Sequence, residues 1–450
     1  MNKSSIWNSN TGRRRPRAIA VCLAVLISGL ALNRPHDAVA RNVPEIYGRI
    51  VKSGGEFEPI RIGIDEFKIK DPAASSPETR EIAALAGQIV FNDLDFSFLF
   101  ETVRPDTVYL RIMNQTQIDR RGWHYLGASY LIGGEVELDG DNAAIIYTLF
   151  DLLNDREVFK RRLKSRRQTI RLLAHSLSDE VYRELAGAEG IFQTRLAYLH
   201  KGTYNEVHVC DYDGAGDLVV ASERSIIVTP RWAGVNAVSY TSYKEGNPDV
   251  WILDLSKGRA RKLSSRPGLN SGCSWSRDGK RYALSLSVEG SPEIHIAERD
   301  GTPRRVTFSN GIDASPTFSP DGKRIVFTSD RSGTPQVYIM DDDGTNLERL
   351  TFEGKYNDSP DWSPTLDIIA YVARMDGVFQ ICTIRPDGSG LRQLTEVGSS
   401  ENPHWSADGL HLVFSSNRTG VYEIYTMNYD GSGVRRVTNN GNNNNPSWSP

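Results

Sequence analysis

At 450 residues the chain is long enough for two domains with separate cores. Its 53 Lys+Arg against 56 Asp+Glu leave a formal net charge of −3, which argues against the strongly basic surface that nucleic acid requires. Residues 1–40 read as a secretory signal, not as folded structure. Arg13-Arg14-Arg15-Pro16-Arg17 is a basic leader, Ala18–Leu32 an apolar stretch too short to span a membrane comfortably, and Ala38-Val39-Ala40 a small-x-small cleavage site. That segment carries six Lys+Arg and one acid, so its removal leaves 47 basic and 55 acidic residues, a net charge near −8. No later apolar run is long enough to cross a membrane, so the mature chain is expected to be a soluble exported monomer.

Residues 41–190 read as an N-terminal α/β domain. Its first stretch, Arg41–Ser53, alternates weakly and suits an edge strand or a free arm that binds by strand addition. Ile60–Ile64 reads as a strand. Ser76-Pro77-Glu78 starts a helix, with a capping serine, proline at the first helical position and an acid in the first turn; the helix is expected to run to about Asn92. Phe98–Val103 is a second strand and Arg120–Leu126 a short helix. Tyr130–Leu138 and Ala143–Leu149 form a hairpin around Asp139-Gly140-Asp141-Asn142. Val158–Leu163 is a basic strand suited to an exposed edge. Ile170, Leu173, Leu177, Val181 and Leu185 give one apolar helix face that ends at Gly187. The linker, Ala188-Glu189-Gly190, is short enough to hold the two domains in a fairly fixed relation or to act as a single hinge.

Residues 191–450 are built from copies of one unit, clearest at Ser315–Thr351, with four short strand-like runs joined by turn residues. An aromatic recurs at Trp232, Trp275, Phe318, Trp362, Trp405 and Trp448, in steps of 43, 43, 44, 43 and 43 residues. A turn glycine recurs independently from Gly214 to Gly431 with the same period. Four strands in that period describe a propeller blade. Arg195–Gly214 supplies second and third strands without a first, and Asn445–Pro450 a first strand without the rest, so together they make one composite blade. The expected fold is an α+β N-terminal domain followed by an all-β six-bladed propeller closed by its C-terminal strand.

Metalloprotease, Cys-x-x-Cys, nucleophile-elbow and phosphate-loop motifs are all missing from the sequence. Cys210, Cys273 and Cys382 fall in different repeats and are expected to be free and buried. His124 and His175 read as surface or packing residues, and the repeated Asp-Gly pairs as turns rather than metal sites. Asp341-Asp342-Asp343 reads as a solvated loop. One polar set is not explained by turns: Asn270, Asp313, Asp358, Glu401 and Asn444, just ahead of each innermost strand's aromatic. A closed ring would gather them at one channel mouth, either as ordinary loop polarity or as a docking site for a polypeptide or a cation. No cofactor is expected; Ca²⁺ is the cation that such oxygen-rich surroundings would favour.

Ser359-Pro360-Asp361-Trp362-Ser363-Pro364, Ser319-Pro320-Asp321-Gly322-Lys323 and Gln336–Met340 resemble the WD40-like propeller repeat of the TolB family. The signal peptide, the α/β domain, the joining stretch Ser178–Leu199 and the Trp-Ser-Pro ending extend the resemblance over essentially the whole mature chain. The resemblance implies a non-enzymatic periplasmic adaptor of the Tol-Pal system that supports outer-membrane integrity and cell division. Its implied partners are the lipoprotein Pal, at the propeller mouth, and TolA, at the mature N-terminal segment. That segment is Arg41, Asn42, Val43, Pro44, Glu45, Ile46, Tyr47 and Gly48. The sequence departs from the family pattern at Trp232-Ala233-Gly234, at Phe318 and at Pro364-Thr365-Leu366. Two alternatives from other classes are a propeller that gates a periplasmic peptidase and a carbohydrate- or cation-binding propeller. The small size of the first domain and the missing nucleophile elbow argue against the peptidase.

Overall fold

The protein is described here from a computed structural model covering residues 58–71, 76–104, 119–288 and 290–450. The expected signal segment and the Arg41–Gly48 partner segment lie outside the described residues. In the N-terminal domain the strands are β1 (Ile60–Ile64), β2 (Lys68–Ile69), β3 (Phe100–Val103), β4 (Tyr130–Asp139), β5 (Asn142–Asp151) and β6 (Arg156–Arg166). The helices are α1 (Pro77–Phe96), α2 (Arg120–Tyr125) and α3 (Ile170–Ala186). The sheet order is β3-β1-β4-β5-β6, with β2 on β4. β1 is parallel to β3 and β4, whereas β4, β5 and β6 form an antiparallel meander, so the domain is mixed α+β.

Local signals account for most of these boundaries. The Ser76 hydroxyl accepts from Thr79 N at 3.1 Å, and Pro77 occupies the first turn of α1. The helix runs four residues past the expected Asn92 because Asp93, Leu94 and Phe96 are buried against the propeller. Tertiary burial overrides the end suggested by local sequence. α3 stops at Gly187, which takes the left-handed conformation (φ +67°) and returns its N–H to Arg183 O.

A single core runs from the N-terminal domain into the propeller, including Ile62, Leu94, Tyr182, Phe192, Leu412 and Trp448. At this junction Phe96 stacks on His411 with centroids 4.5 Å apart, and Phe98 meets Tyr429 edge-on at 5.1 Å. Asp93 is 1% exposed, so its charge needs partners. It receives Tyr212 OH at 2.5 Å and His175 Nδ1 at 2.9 Å, which joins α1, α3 and the propeller in one network. Arg435 reaches over from the propeller to Asp95, to both its carbonyl (2.7 Å) and its carboxylate (3.0 Å). The linker is pinned by Asp179 on α3, which accepts from Phe192 N at 3.0 Å and Gln193 Nε2 at 2.7 Å. Gly190 is required there, since a Cβ would lie 2.1 Å from Asp179 Oδ1.

The propeller consists of six separate four-stranded sheets. Five are meanders of consecutive strands. The sixth pairs Asn443–Trp448 with Arg195–Lys201, followed by Asn205–Asp211 and Leu218–Glu223. The six innermost strands, which end on the recurring aromatics, neighbour one another in a full cycle. The expected ring closed by its C-terminal strand is corrected: among the described residues no sheet closes on itself by strand bonding, and the ladder of each blade stops at its own edges. Blades face one another through side chains, so no backbone ladder can cross between them. Packing and side-chain hydrogen bonds hold the ring instead, as where Trp232 Nε1 donates to Ser447 O at 3.1 Å and Trp405 Nε1 to Asp361 O at 3.0 Å.

Within four blades, a Glu or Gln early in the third strand acts as a buried clamp. Thr307, Thr351, Thr395 and Thr438, each two residues past the fourth strand, donate to Glu293, Gln336, Gln380 and Glu423 at 2.6–2.8 Å. Burial opposes charge on Glu423, yet donors from Thr438, Arg436 and Asn443 hold its carboxyl below the usual range. The Asp-Gly pairs do sit in turns. At Gly344, with φ +94°, a Cβ would also strike Val306 O at 2.3 Å; Gly301 is the exception, without a positive φ. Asp341 and Asp342 are less free than a solvated loop suggests, since Asn346 binds Asp341 and Arg281 binds Asp342. Cys210, Cys273 and Cys382 are free and buried.

Burial pushes the Asp179 carboxyl up to about 6 from its ordinary 3.8, only partly offset by its hydrogen bonds from Gln193 and Phe192. A carboxyl raised in this way stabilises the fold fully below its unfolded value and loses that contribution as pH rises through the folded one. The urea midpoint of the chain should therefore fall relative to that of Asp179→Asn as pH rises from 3.8 through about 6, and the difference should level off above. A difference that is independent of pH would refute this.

Candidate functional site at the propeller mouth

Every innermost strand carries the same irregularity. The third residue before the aromatic (Thr229, Gly272, Ser315, Ser359, Asn402 and Asn445) has φ between +49° and +66°, and pairing with the second strand skips a register there. This is a β-bulge in each blade. Proline follows in all but the Trp275 blade (Pro230, Pro316, Pro360, Pro403, Pro446), where its missing N–H leaves no donor unpaired at the break. The bulge splits the strand into a short polar start and a second half that ends on the aromatic.

The five expected mouth residues fall into two registers. Asn270 and Asp313 lie five residues before their aromatics and are fully buried. Asn270 accepts from Ser264 Oγ at 2.6 Å and donates to the carbonyls of Pro248, Arg266 and Gly268. Asp313 pairs with Arg331 at 2.7 Å and accepts from Ser329 at 2.6 Å. Both fasten their blades and offer nothing to a partner, which corrects their placement at the mouth. Asn357, Ser400 and Asn443 are their true counterparts and are likewise buried. The difference of one residue moves a side chain to the opposite face of a strand.

Asp358, Glu401 and Asn444 lie four residues before their aromatics and are half-buried. They come from three consecutive blades whose innermost strands neighbour one another. Asp358 accepts from Thr328 Oγ1 at 2.8 Å and Tyr356 OH at 2.9 Å. Glu401 accepts from Tyr422 OH. Asn444 accepts from Asn445 Nδ2 at 3.0 Å. Two carboxylates and an amide are thus oriented by neighbours while still open to solvent. The loop entering the Asp358 strand exposes Phe352 (73%), and the loop entering the innermost strand of the preceding blade, Asp313–Phe318, exposes Phe308 (75%) and Ile312 (50%). Arg305 and Arg349 cover those rings at 4.6 and 5.0 Å. Sequence reasoning missed these apolar groups and the supporting Tyr356 and Tyr422. Phe308 and Phe352 directly follow Thr307 and Thr351, which recur two residues past the fourth strand, so the repeat alignment held the signal for them.

The chain direction places this mouth away from the N-terminal domain. The junction uses the start of a second strand (His411), a fourth strand (Arg435) and a turn between third and fourth strands (Asp213), all at the end where the innermost strands finish. Asp358, Glu401 and Asn444 stand where those strands begin. Elsewhere, His175, Asp211 and Asp213 bring possible ligand atoms within 4.8 Å of one another. Arg171 already pairs with Asp213 at 2.6 Å, and His175 is engaged by Asp93, so the group belongs to the junction's ion-pair network.

Comparison with known proteins places this architecture. A family model described as the TolB amino-terminal domain matches residues 48–158, and one described as the TolB beta propeller domain matches residues 182–450. The chain belongs to the TolB family. Among curated relatives, the Tol-Pal system protein TolB of Desulfosudis oleivorans is 36% identical over 238 residues, covering 51% of this chain and 53% of the relative. That of Dinoroseobacter shibae is 32% identical over 262 residues, covering 56% and 57%. The matched part thus spans about half the length of these relatives. A crystal structure of TolB from Acinetobacter baumannii superposes with a TM-score of 0.74 at 26% identity, over 87% of this chain and 97% of that one.

The two registers separate stability from surface chemistry. Asp313→Ala leaves half-buried Arg331 without its partner and buried Ser329 without its acceptor, and should cost about 3 kcal/mol in urea unfolding. Asp358→Ala, at a half-open position, should cost less than about 1 kcal/mol. Similar losses for both would refute the distinction.

Proposed function

We propose that this chain is a non-enzymatic periplasmic adaptor of the Tol-Pal system, exported by the signal in residues 1–40. Its mature part consists of an N-terminal domain over 41–190 and a propeller over 191–450. In this reading Pal docks on the propeller mouth through Asp358, Glu401 and Asn444, and TolA binds the segment Arg41–Gly48. The observation that carries the proposal is the family match across both domains. The mouth adds chemical support, because a solvated acidic rim beside exposed Phe308, Ile312 and Phe352 combines polar specificity with apolar area, as protein interfaces do. Among the described residues no helix is long and apolar enough to cross a membrane. Outer-membrane integrity and cell division would depend on the chain through these two contacts.

The test is titration of the mature protein with its cognate Pal. Glu401→Lys and Asp358→Lys should each weaken binding about tenfold or more, whereas Asp343→Lys, in a turn at the other end of its blade, should change it less than about twofold. No binding to Pal would refute the adaptor reading; equal losses in all three variants would refute only the mouth assignment.

A further inference from the structure

The opposite end of the channel, where the innermost strands finish, holds a cavity of about 280 Å³. Its walls include Trp232, Trp275, Phe318, Trp362, Trp405 and Trp448, and three charged side chains line it: Arg231, Asp361 and Arg277, the last exposed and donating to Pro364 O at 2.6 Å. Arg231 and Asp361 stand immediately before their blade's aromatic, and that position has a structural task in other blades. Ser447 Oγ accepts from Trp232 N at 3.4 Å, Asp361 Oδ2 from Trp405 N at 2.8 Å and His404 Nδ1 from Trp448 N at 3.3 Å, each across a blade boundary. Arginine has no acceptor and cannot do this. Arg231 therefore offers no acceptor to the following blade's tryptophan and brings a permanent cation into a mostly apolar space.

Arg231 and Asp361 both keep unused hydrogen-bonding capacity. Arg231 donates only through Nη1, to Pro230 O at 3.0 Å and Pro446 O at 3.4 Å. Its Nε and Nη2 have no hydrogen-bond partner and are not sealed from the cavity. Asp361 is 8% exposed, its Oδ1 makes no hydrogen bond, and that atom too is not sealed off. The two residues form no ion pair with each other within 4.0 Å. Another titratable neighbour, His404, lies 3.9 Å from Asp361, and burial lowers its pKa, keeping it neutral at neutral pH. Opposite charges held apart in a low-dielectric cavity are costly unless something with complementary charges fits between them.

We propose that this cavity binds a small zwitterion with an apolar body, of the class of free α-amino acids, its carboxylate on the Arg231 guanidinium and its ammonium on Asp361. The planar fork of arginine suits a carboxylate, the carboxylate of Asp361 suits an ammonium, and the tryptophan walls suit an aliphatic or aromatic side chain. A volume of about 280 Å³ lies at the small end for ligand pockets and matches one amino acid rather than a larger metabolite. The site lies at the mouth opposite Asp358 and Glu401, so it stands independently of the adaptor proposal.

The experiment is calorimetric titration of the mature protein with glycine, leucine and phenylalanine, then with N-acetylleucine and leucinamide, which each lack one charge. Leucine or phenylalanine should bind at millimolar affinity or better, and each single-charge analogue about tenfold or more weaker than leucine. Arg231→Ser installs the residue that the Trp275 and Trp448 blades carry at this position, so the blade should fold, as thermal melting checks; it should abolish binding of the amino acids. Asp361→Asn should do the same. The proposal is overturned if none of the three amino acids binds saturably up to about 10 mM, or if Arg231→Ser binds them like the parent chain.

Discussion

Six strands run side by side around one axis without a backbone hydrogen bond between them, and the rest of the propeller accommodates that constraint. A strand with one bonded edge and one free edge would ordinarily invite pairing. Here the free edge is interrupted in every blade by a left-handed bulge, and in five of six by a proline directly after it. Tryptophan N–H groups then stitch blades where backbones do not. The interruption also divides each strand by function. The residue five before the aromatic turns inward to fasten the blade, whereas the residue four before it remains at the mouth.

The N-terminal domain is fused to this ring by a shared core rather than tethered to it. Asp93, His175 and Tyr212 tie three elements with hydrogen bonds that water cannot reach, and the stacked Phe96 and His411 fill the space beside them. Burial of this kind makes relative motion of the two domains costly, because opening would expose apolar surface and strand a buried carboxylate. Both ends of the channel therefore hold a fixed relation to the first domain: one mouth faces away from it, and the other lies on its side.

The repeat period, the blade count and the composite blade were legible from spacing alone, because aromatic and glycine markers carry the same period independently. Most elements of the first domain were legible too, since Ser76-Pro77 and Gly187 are local signals. Four things were not. The end of α1 depends on burial of Asp93, Leu94 and Phe96 against a domain distant in sequence. The mouth register depends on a bulge that no residue type marks uniquely: Asn270 and Asp313 looked like Asp358 and Glu401, but stand one residue earlier and face the other way. The ring expected from strand pairing proved to rest on side chains, because hydrogen-bonded edges and packed faces leave the same alternating pattern in a sequence. Arg231 carried no signal in the sequence, because the residue before the aromatic differs from blade to blade (Ser274, Thr317, Asp361, His404, Ser447).

The linker has a mechanical consequence. It passes from α3 directly into Arg195–Lys201, a strand bonded on both sides, to Asn443–Trp448 and to Asn205–Asp211. A pull on the first domain along that strand loads both ladders in shear, so their hydrogen bonds share the force instead of parting one at a time. Trp448, whose Nε1 donates to Thr194 at 2.7 Å, braces the point where the force enters. The blade assembled from two distant parts of the chain is thus the one placed to carry tension between the domains.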